Sequence, residues 1–115
     1  MEIKIIKERI KLKEVSEMAE KGFGDMVKAV VDIEKEIMAV GGDFHSEASE
    51  LLVKEGSNQE KVWGINIYPN ETEDDFVVFD SMINIKPLLN NKSLYIEDES
   101  IRKKIKDIVN KLIEK

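Results

Sequence analysis

Three titratable side chains alternate directly after a double glycine, and their spacing gives them the clearest potential for chemistry in the chain. Asp43, His45 and Glu47 are each separated by one residue, so in an extended segment all three project to the same side. An imidazole with carboxylates can bind zinc or iron, or can transfer protons. His45 is the single histidine and the chain has no cysteine, whereas carboxylate–histidine metal sites commonly use two or more histidines. The alternative, which we expect, is a structural role for His45 beside the start of a helix.

A second polar set interrupts two apolar stretches that are predicted to pair as strands. Asn66 lies in the first stretch, and Asp80 and Asn84 lie in the second. A hairpin would bring Asn66 close to Asp80 or Asn84 as a cross-strand neighbour. Polar groups within apolar strands cost free energy unless they are paired, so the two alternatives are a small binding cleft and a solvated sheet face. The candidate cleft therefore comprises Asp43, His45, Glu47, Asn66, Asp80 and Asn84.

Two further features lack the spacing that metal or phosphate binding requires. The acidic loop from Glu71 to Asp75 has neither the ligand spacing nor the central glycine of an EF-hand. Gly41 and Gly42 are not followed by a dinucleotide or Walker pattern, and they favour a sharp turn instead. We predict no cofactor and no metal.

Apolar periodicity predicts three helices. The first spans residues 12–21 and ends at the glycines around Phe23. A short second helix near 47–55 follows Ser46, which is a favourable N-cap. The strongest signal is C-terminal: Ile101, Ile105, Ile108 and Leu112 form one apolar stripe, with Asp98 as the expected N-cap.

Alternating or continuous apolar runs predict the strands. They cover residues 3–6, 26–33, 37–40, 62–68 and 76–85, with a turn at Glu34-Lys35 and a bulge at Asp80-Ser81. These elements predict an α+β fold. A single, mostly antiparallel sheet of about five strands is covered on one face by the N- and C-terminal helices, and the other face can remain wet.

Composition predicts one globular domain over residues 1–115. The chain is 42% hydrophobic and 37% charged, with a formal net charge of −6. This charge argues against a nucleic-acid partner, because such binding relies on lysine and arginine. The charged N-terminal residues do not form a signal peptide, no apolar run is long enough to span a membrane, and cysteine is absent, so we expect a cytoplasmic protein. The excess of lysine and glutamate favours a thermophilic source, although an AT-rich genome gives the same bias.

Four segments carry a resemblance to a known family. They read GFGDMVKAVVDIEKEIMAVGG, FHSE, EGSNQEKVWGINIYP and FDSMINIKP. Together they resemble an uncharacterised bacterial and archaeal family, a small domain of unknown function, over roughly Ile3 to Leu112. The resemblance implies one intact prokaryotic domain, and it implies no activity, cofactor or catalytic residue.

The sequence supports two hypotheses about function. The first is a non-catalytic binding or interaction module that acts as a homodimer through an exposed sheet face or a sheet edge. The small-molecule or protein partner stays unidentified. The second is a small metal-dependent hydrolase that uses His45 with Asp43 and Glu47. The single histidine favours the first hypothesis.

Overall fold

A five-stranded antiparallel sheet forms the centre of the protein. The computed structural model describes residues 2–115. The strands are β1 (Ile3–Ile6), β2 (Ile10–Lys11), β3 (Val27–Asp32), β4 (Ile37–Gly41), β5 (Val62–Ile67), β6 (Val77–Val78) and β7 (Ile113–Glu114), and the helices are α1 (Leu12–Lys21), α2 (His45–Lys54) and α3 (Glu99–Leu112). The sheet has the order β1-β4-β3-β5-β6, and a short parallel pair, β2 and β7, links the start of α1 to the end of α3.

The β3–β4 hairpin is held by a buried carboxylate. Asp32 Oδ1 accepts hydrogen bonds from the amides of Glu34 (2.8 Å) and Lys35 (2.9 Å). Its Oδ2 accepts a bond from the Ser57 hydroxyl at 2.7 Å. The turn at Glu34-Lys35 is therefore confirmed, and the Asp32 side chain supplies the stabilisation that the turn residues themselves lack.

Helices α1 and α3 cover one face of the sheet. Alternate residues of the strands, such as Ala29, Val31 and Met38, pack in one cluster with Val15 of α1 and Ile105 of α3. These side chains share a face because strand residues alternate in direction with period two. The α+β architecture predicted from the sequence is confirmed, including the helices at both ends of the chain.

Helix α2 packs against the opposite face of the sheet. Its Ala48 and Leu52 are fully buried against Val30, Ala39 and Val62. These strand residues occupy the intervening positions of β3, β4 and β5. The second face, which the sequence allowed to remain wet, is thus covered at its centre.

The strand predicted over residues 76–85 is much shorter than expected. Only Val77–Val78 pairs with β5, and residues 82–84 form a 3-10 turn. Ser81 packs so closely that a Cβ on Gly64 would lie 2.5 Å from the Ser81 Cβ. Beyond β6, the edge of β5 is paired by a side chain: Asn84 Oδ1 accepts from the Gly64 amide (2.8 Å), and Asn84 Nδ2 donates to the Gly64 carbonyl (2.9 Å). This amide replaces the missing strand.

Among residues 2–115, no helix combines the length and the apolar character that crossing a bilayer requires.

Candidate functional site

His45 is held by the main chain of the sheet. It is the first residue of α2, and its side chain is buried. Nε2 lies 2.8 Å from the Ile65 carbonyl oxygen. Because a carbonyl oxygen can only accept, Nε2 carries the proton, and Nδ1 of the neutral ring is a hydrogen-bond acceptor. Since His45 is the first residue of α2, the helix begins two residues before the predicted start at 47.

Burial lowers the pKa of His45 below its usual value of 6.5. The bond to the Ile65 carbonyl raises this pKa, and the nearby charge of Lys28 lowers it further. Asn66 also raises the pKa of His45 as a neighbouring acceptor, although its geometry falls short of a hydrogen bond. The ring is consequently neutral at pH 7.

Glu47 caps the helix. Its Oε1 accepts hydrogen bonds from the amides of Asp43 (2.9 Å) and Phe44 (3.0 Å). The side chain thereby satisfies donors that a helix N-terminus leaves open. Ser46, the predicted N-cap, lies within the helix, and Phe44 occupies the cap position. The prediction of a Ser46 cap is wrong because the helix begins at His45, so that Ser46 already lies in its first turn.

A cavity of about 340 Å³ lies between the start of α2, strand β5 and residues 80–83. We call it the His45 cavity. His45, Asn66 and Asp80 line it together. Its lining is Met26, Lys28, Phe44, His45, Ser46, Asn66, Asp80, Ser81, Met82, Ile83 and Leu94.

Asn66 contributes the unusual group of this cavity. Its Nδ2 donates to the Asp80 main-chain oxygen at 3.2 Å, which confirms that Asn66 and Asp80 are neighbours. Its Oδ1 is buried and accepts no hydrogen bond from any residue between 2 and 115. A buried polar atom without a partner costs free energy. The folded protein therefore keeps an unsatisfied acceptor on a residue that lines the His45 cavity.

The other three candidate residues lie outside the cavity lining. Asp43 is exposed and Glu47 caps α2. Asn84 is fully buried and pairs with Gly64. Within the described part of the chain, no group of three or more histidine, cysteine, aspartate or glutamate side chains is arranged to hold a metal ion.

Sequence reasoning missed the apolar rim and Lys28. Phe44 and Met82 are 67% and 77% exposed, and Leu94 is also exposed. Lys28 in the central strand β3 was a usable signal, because a charged side chain there costs free energy unless it is paired, as Asp32 is, or reaches an opening. The exposed Phe44 and Met82 had no such signal, since each is one apolar residue among many.

The fold and the cavity define a small α+β protein with a ligand-sized opening on one face of its sheet. The chain belongs to the family described as "Protein of unknown function (DUF5674)", whose sequence profile matches residues 4–112. This match confirms the resemblance inferred from the sequence. No curated protein and no solved structure matches the chain.

Proposed function

We propose that the protein is a cytoplasmic, non-catalytic binding module that acts as a homodimer and holds a small molecule in the His45 cavity. The buried and unpartnered Asn66 Oδ1 carries this proposal. A ligand that enters the cavity and donates a hydrogen bond to this oxygen would recover the free energy that the free protein loses there. The family resemblance supports a prokaryotic source, and the composition, rich in lysine and glutamate and free of cysteine, supports a thermophilic one, although an AT-rich genome gives the same bias.

The chemistry of the lining selects the class of ligand. Asn66 Oδ1 accepts, and so does Nδ1 of the neutral His45 ring. Phe44, Met82 and Leu94 form an apolar rim around these acceptors. The ligand that suits this combination has an apolar body and at least one N–H or O–H donor. Such pockets pair a few polar groups with a mostly apolar wall.

The alternative hydrolase has no supporting observation in this geometry. His45 uses Nε2 for a main-chain carbonyl, and Glu47 uses Oε1 for main-chain amides. Neither bond places a base beside a nucleophile, which acid–base catalysis requires. Each bond instead holds the first turn of α2 in position.

A matched pair of probes tests the binding proposal. Indole has an apolar body and an N–H donor, and 1-methylindole has the same body without the donor. We expect indole to shift the amide resonances of His45, Asn66 and Phe44 in a saturable way. 1-Methylindole should bind about tenfold more weakly, because one hydrogen bond to a buried acceptor is lost.

Asn66→Leu provides the matched variant, because it removes the acceptor and keeps a similar side-chain volume. It should abolish the preference for indole over 1-methylindole. Asn110→Leu makes the same change at an exposed position of α3 and should leave the preference intact. Equal binding of the two probes by the unmodified protein would overturn the proposal, and so would an undiminished preference in Asn66→Leu.

The exposed apolar side chains support the homodimer. Most of the large ones fall within residues 82–95, a segment we call the apolar loop: Met82, Ile85, Leu88, Leu89, Leu94 and Tyr95. Leu88 is 100% exposed at the tip of the loop. Exposed apolar groups concentrated in one segment mark an interaction surface. Two copies can bury the same loop against each other around a twofold axis, since an apolar patch is complementary to itself.

The sheet edges are less suitable for this contact. Asn84 already pairs the Gly64 region of β5. The free edge, β1, has only four residues, and Lys4 within it forms an ion pair with Glu14. Short, charged edge strands resist pairing with another chain. The apolar loop is therefore the proposed contact, in place of a sheet edge.

Light scattering across micromolar concentrations tests the assembly. We expect a dimer for the unmodified chain and a monomer for Leu88→Glu, because the dimer would bury a charge without a partner. Val53→Glu is the control, since Val53 is an exposed apolar residue on α2, outside the loop. A chain that stays monomeric as its concentration rises, or a Leu88→Glu variant that stays dimeric, contradicts the proposed interface.

A further inference from the structure

The only tryptophan has a buried donor that no residue satisfies. Trp63 lies on the face of β5 that α1 and α3 cover, opposite Asn66, and it is 2% exposed. Its Nε1 has no hydrogen-bond acceptor among residues 2–115. The indole N–H can only donate. Trp63 therefore lacks an acceptor, in the same way that Asn66 lacks a donor on the other face of the sheet.

A second cavity borders this tryptophan. It has a volume of about 450 Å³ and lies between the start of β5, the start of α3 and residues 89–91. We call it the Trp63 cavity. Ile33, Leu89 and Ile101 give it an apolar wall. The volume is within the range of small-molecule sites, and it shares no lining residue with the His45 cavity.

Acidic side chains outnumber basic ones in the lining of this cavity. Glu60, Glu97 and Asp98 line it together with Lys61. Three further cations lie close to these carboxylates: Lys86 near Glu60, Lys92 near Glu97 and Arg102 near Asp98. The hydrogen bond from the Lys92 amide lowers the pKa of Glu97, and the bond from the Ser100 side chain lowers the pKa of Asp98. Both carboxylates are thus ionised at neutral pH, and they repel an anion that approaches the opening.

We propose that the Trp63 cavity binds a neutral or cationic small molecule through a carbonyl oxygen that accepts the Nε1 hydrogen of Trp63. The acceptor satisfies the indole, the apolar body contacts Ile33, Leu89 and Ile101, and the acidic opening discriminates against carboxylates. Lys86 covers one face of the indole ring, with its Nζ 5.0 Å from the ring centroid and bonded to the Gln59 carbonyl at 2.6 Å. The contact with Lys86 holds the indole ring of Trp63 in its orientation.

Three probes that share a benzene ring separate the requirement for a carbonyl acceptor from the requirement on the charge of the ligand. Benzamide is neutral and has a carbonyl acceptor, benzoate has acceptors and a negative charge, and benzamidinium is cationic with donors only. Because the chain contains one tryptophan, its indole N–H gives a single side-chain resonance in a ¹⁵N-correlated NMR spectrum. We expect benzamide to move this proton downfield and saturably, as a new hydrogen bond does. Benzoate should bind at least about tenfold more weakly, and benzamidinium should give no downfield shift.

Variants locate the binding site. Glu60→Lys, at an exposed position, should reduce the difference in affinity between benzoate and benzamide, because it replaces a charge that repels benzoate with one that attracts it. Trp63→Phe keeps an aromatic ring without the donor and should weaken benzamide binding, followed through the amide resonances of Leu89 and Asn91. Asn66→Leu alters only the His45 cavity and should leave benzamide binding unchanged.

Three results would overturn this assignment. The first is an indole resonance that does not respond to benzamide. The second is an equal downfield shift with all three probes. The third is a benzamide affinity that survives Trp63→Phe and falls in Asn66→Leu, because benzamide would then occupy the other cavity. Since indole and 1-methylindole test the His45 cavity separately, failure at one cavity leaves the result at the other intact.

Discussion

Helix α3 and the segment from Phe79 to Glu97 are held in place by different kinds of interaction. In α3, a periodic apolar stripe is buried against the sheet, and Ile105 and Ile108 are almost completely inaccessible to solvent. The segment 79–97 has no regular strand and only short 3-10 turns. It is held by the side-chain amides of two buried asparagines, Asn84 and Asn91.

The two asparagines act as internal braces. Besides its two bonds to Gly64, Asn84 Nδ2 donates to the Leu94 carbonyl at 3.1 Å. Asn91 Nδ2 donates to the carbonyls of Asn84 (2.7 Å) and Tyr95 (3.0 Å), and its Oδ1 accepts from the Glu97 amide at 2.8 Å. Buried main-chain groups that lack a strand partner are thereby satisfied. Burial of apolar side chains holds α3, and polar pairing holds the segment 79–97, so the two regions should respond differently to substitution.

The largest effect is expected from Asn84→Ala. This change leaves the Gly64 amide and the Gly64 carbonyl buried without partners, and each such group costs about 1–3 kcal/mol. The Leu94 carbonyl loses one donor and keeps the other, the Ser81 amide. We expect a total loss of about 3–5 kcal/mol in the free energy of unfolding, measured by chemical denaturation. Asn110→Ala, on the exposed side of α3, is the control and should change stability by less than about 0.5 kcal/mol.

A small effect of Asn84→Ala would contradict the bracing role. If the loss were below about 1 kcal/mol, which is the typical net value of one hydrogen bond, water would have to replace the amide. The edge of β5 would then be accessible, and hydrogen exchange at the Gly64 amide would be as fast in the unmodified protein as in the variant.

The next largest effect is expected in α3. Ile105→Ala and Ile108→Ala should each lower the free energy of unfolding by about 2–4 kcal/mol, because each removes buried methyl groups and leaves a cavity. Lys103→Ala, at an exposed position of the same helix, is the control. Changes below about 0.5 kcal/mol for both isoleucines would mean that α3 does not pack on the sheet.

The same contrast explains which parts of the fold the sequence predicts. Helix α1 has the bounds predicted from its apolar spacing, and Asp98 caps α3 as predicted, with Oδ1 accepting from the Ser100 amide at 2.8 Å. Periodicity is a local signal, so it can be read from consecutive residues. The prediction for residues 76–85 is wrong because Asn84 pairs with Gly64, twenty positions away in the chain. An asparagine that braces a distant strand has the same local signature as one in a turn.

The candidate site shows the same limit. His45, Asn66 and Asp80, which the sequence analysis placed in one candidate cleft, line the same cavity. Asp43 and Glu47 were grouped with His45 by alternation, which holds for a strand. The chain enters a helix at His45, so that alternation does not apply. The role of Glu47 as a cap follows from its place in the first turn, which becomes evident once the helix start is known.

The smallest expected effect concerns His45, which also braces β5 through a side-chain bond. Its pKa is lowered in the folded protein, so the unfolded chain binds more protons between the folded-state pKa and 6.5. The contribution of His45 to the free energy of unfolding therefore rises with pH in that window. The same contribution is lost as the pH falls below about 6.5. The lowered carboxylate pKa values of Glu36, Glu97 and Asp98 act on stability mainly at lower pH, around and below their unfolded-state values of 4.5 for the two glutamates and 3.8 for Asp98.

Chemical denaturation between pH 7 and pH 4.5 isolates this contribution, because His45 is the only histidine. The unmodified protein should lose stability across the window, and His45→Gln, which does not titrate, should lose much less. At pH 7 the variant should be less stable than the unmodified protein by about 1 kcal/mol if glutamine does not restore the bond to Ile65. Parallel curves for the two proteins would show that the ring is not held neutral by burial. The first turn of α2 would then be positioned by Glu47 alone, and His45 would no longer belong with Asn84 among the side chains that brace β5.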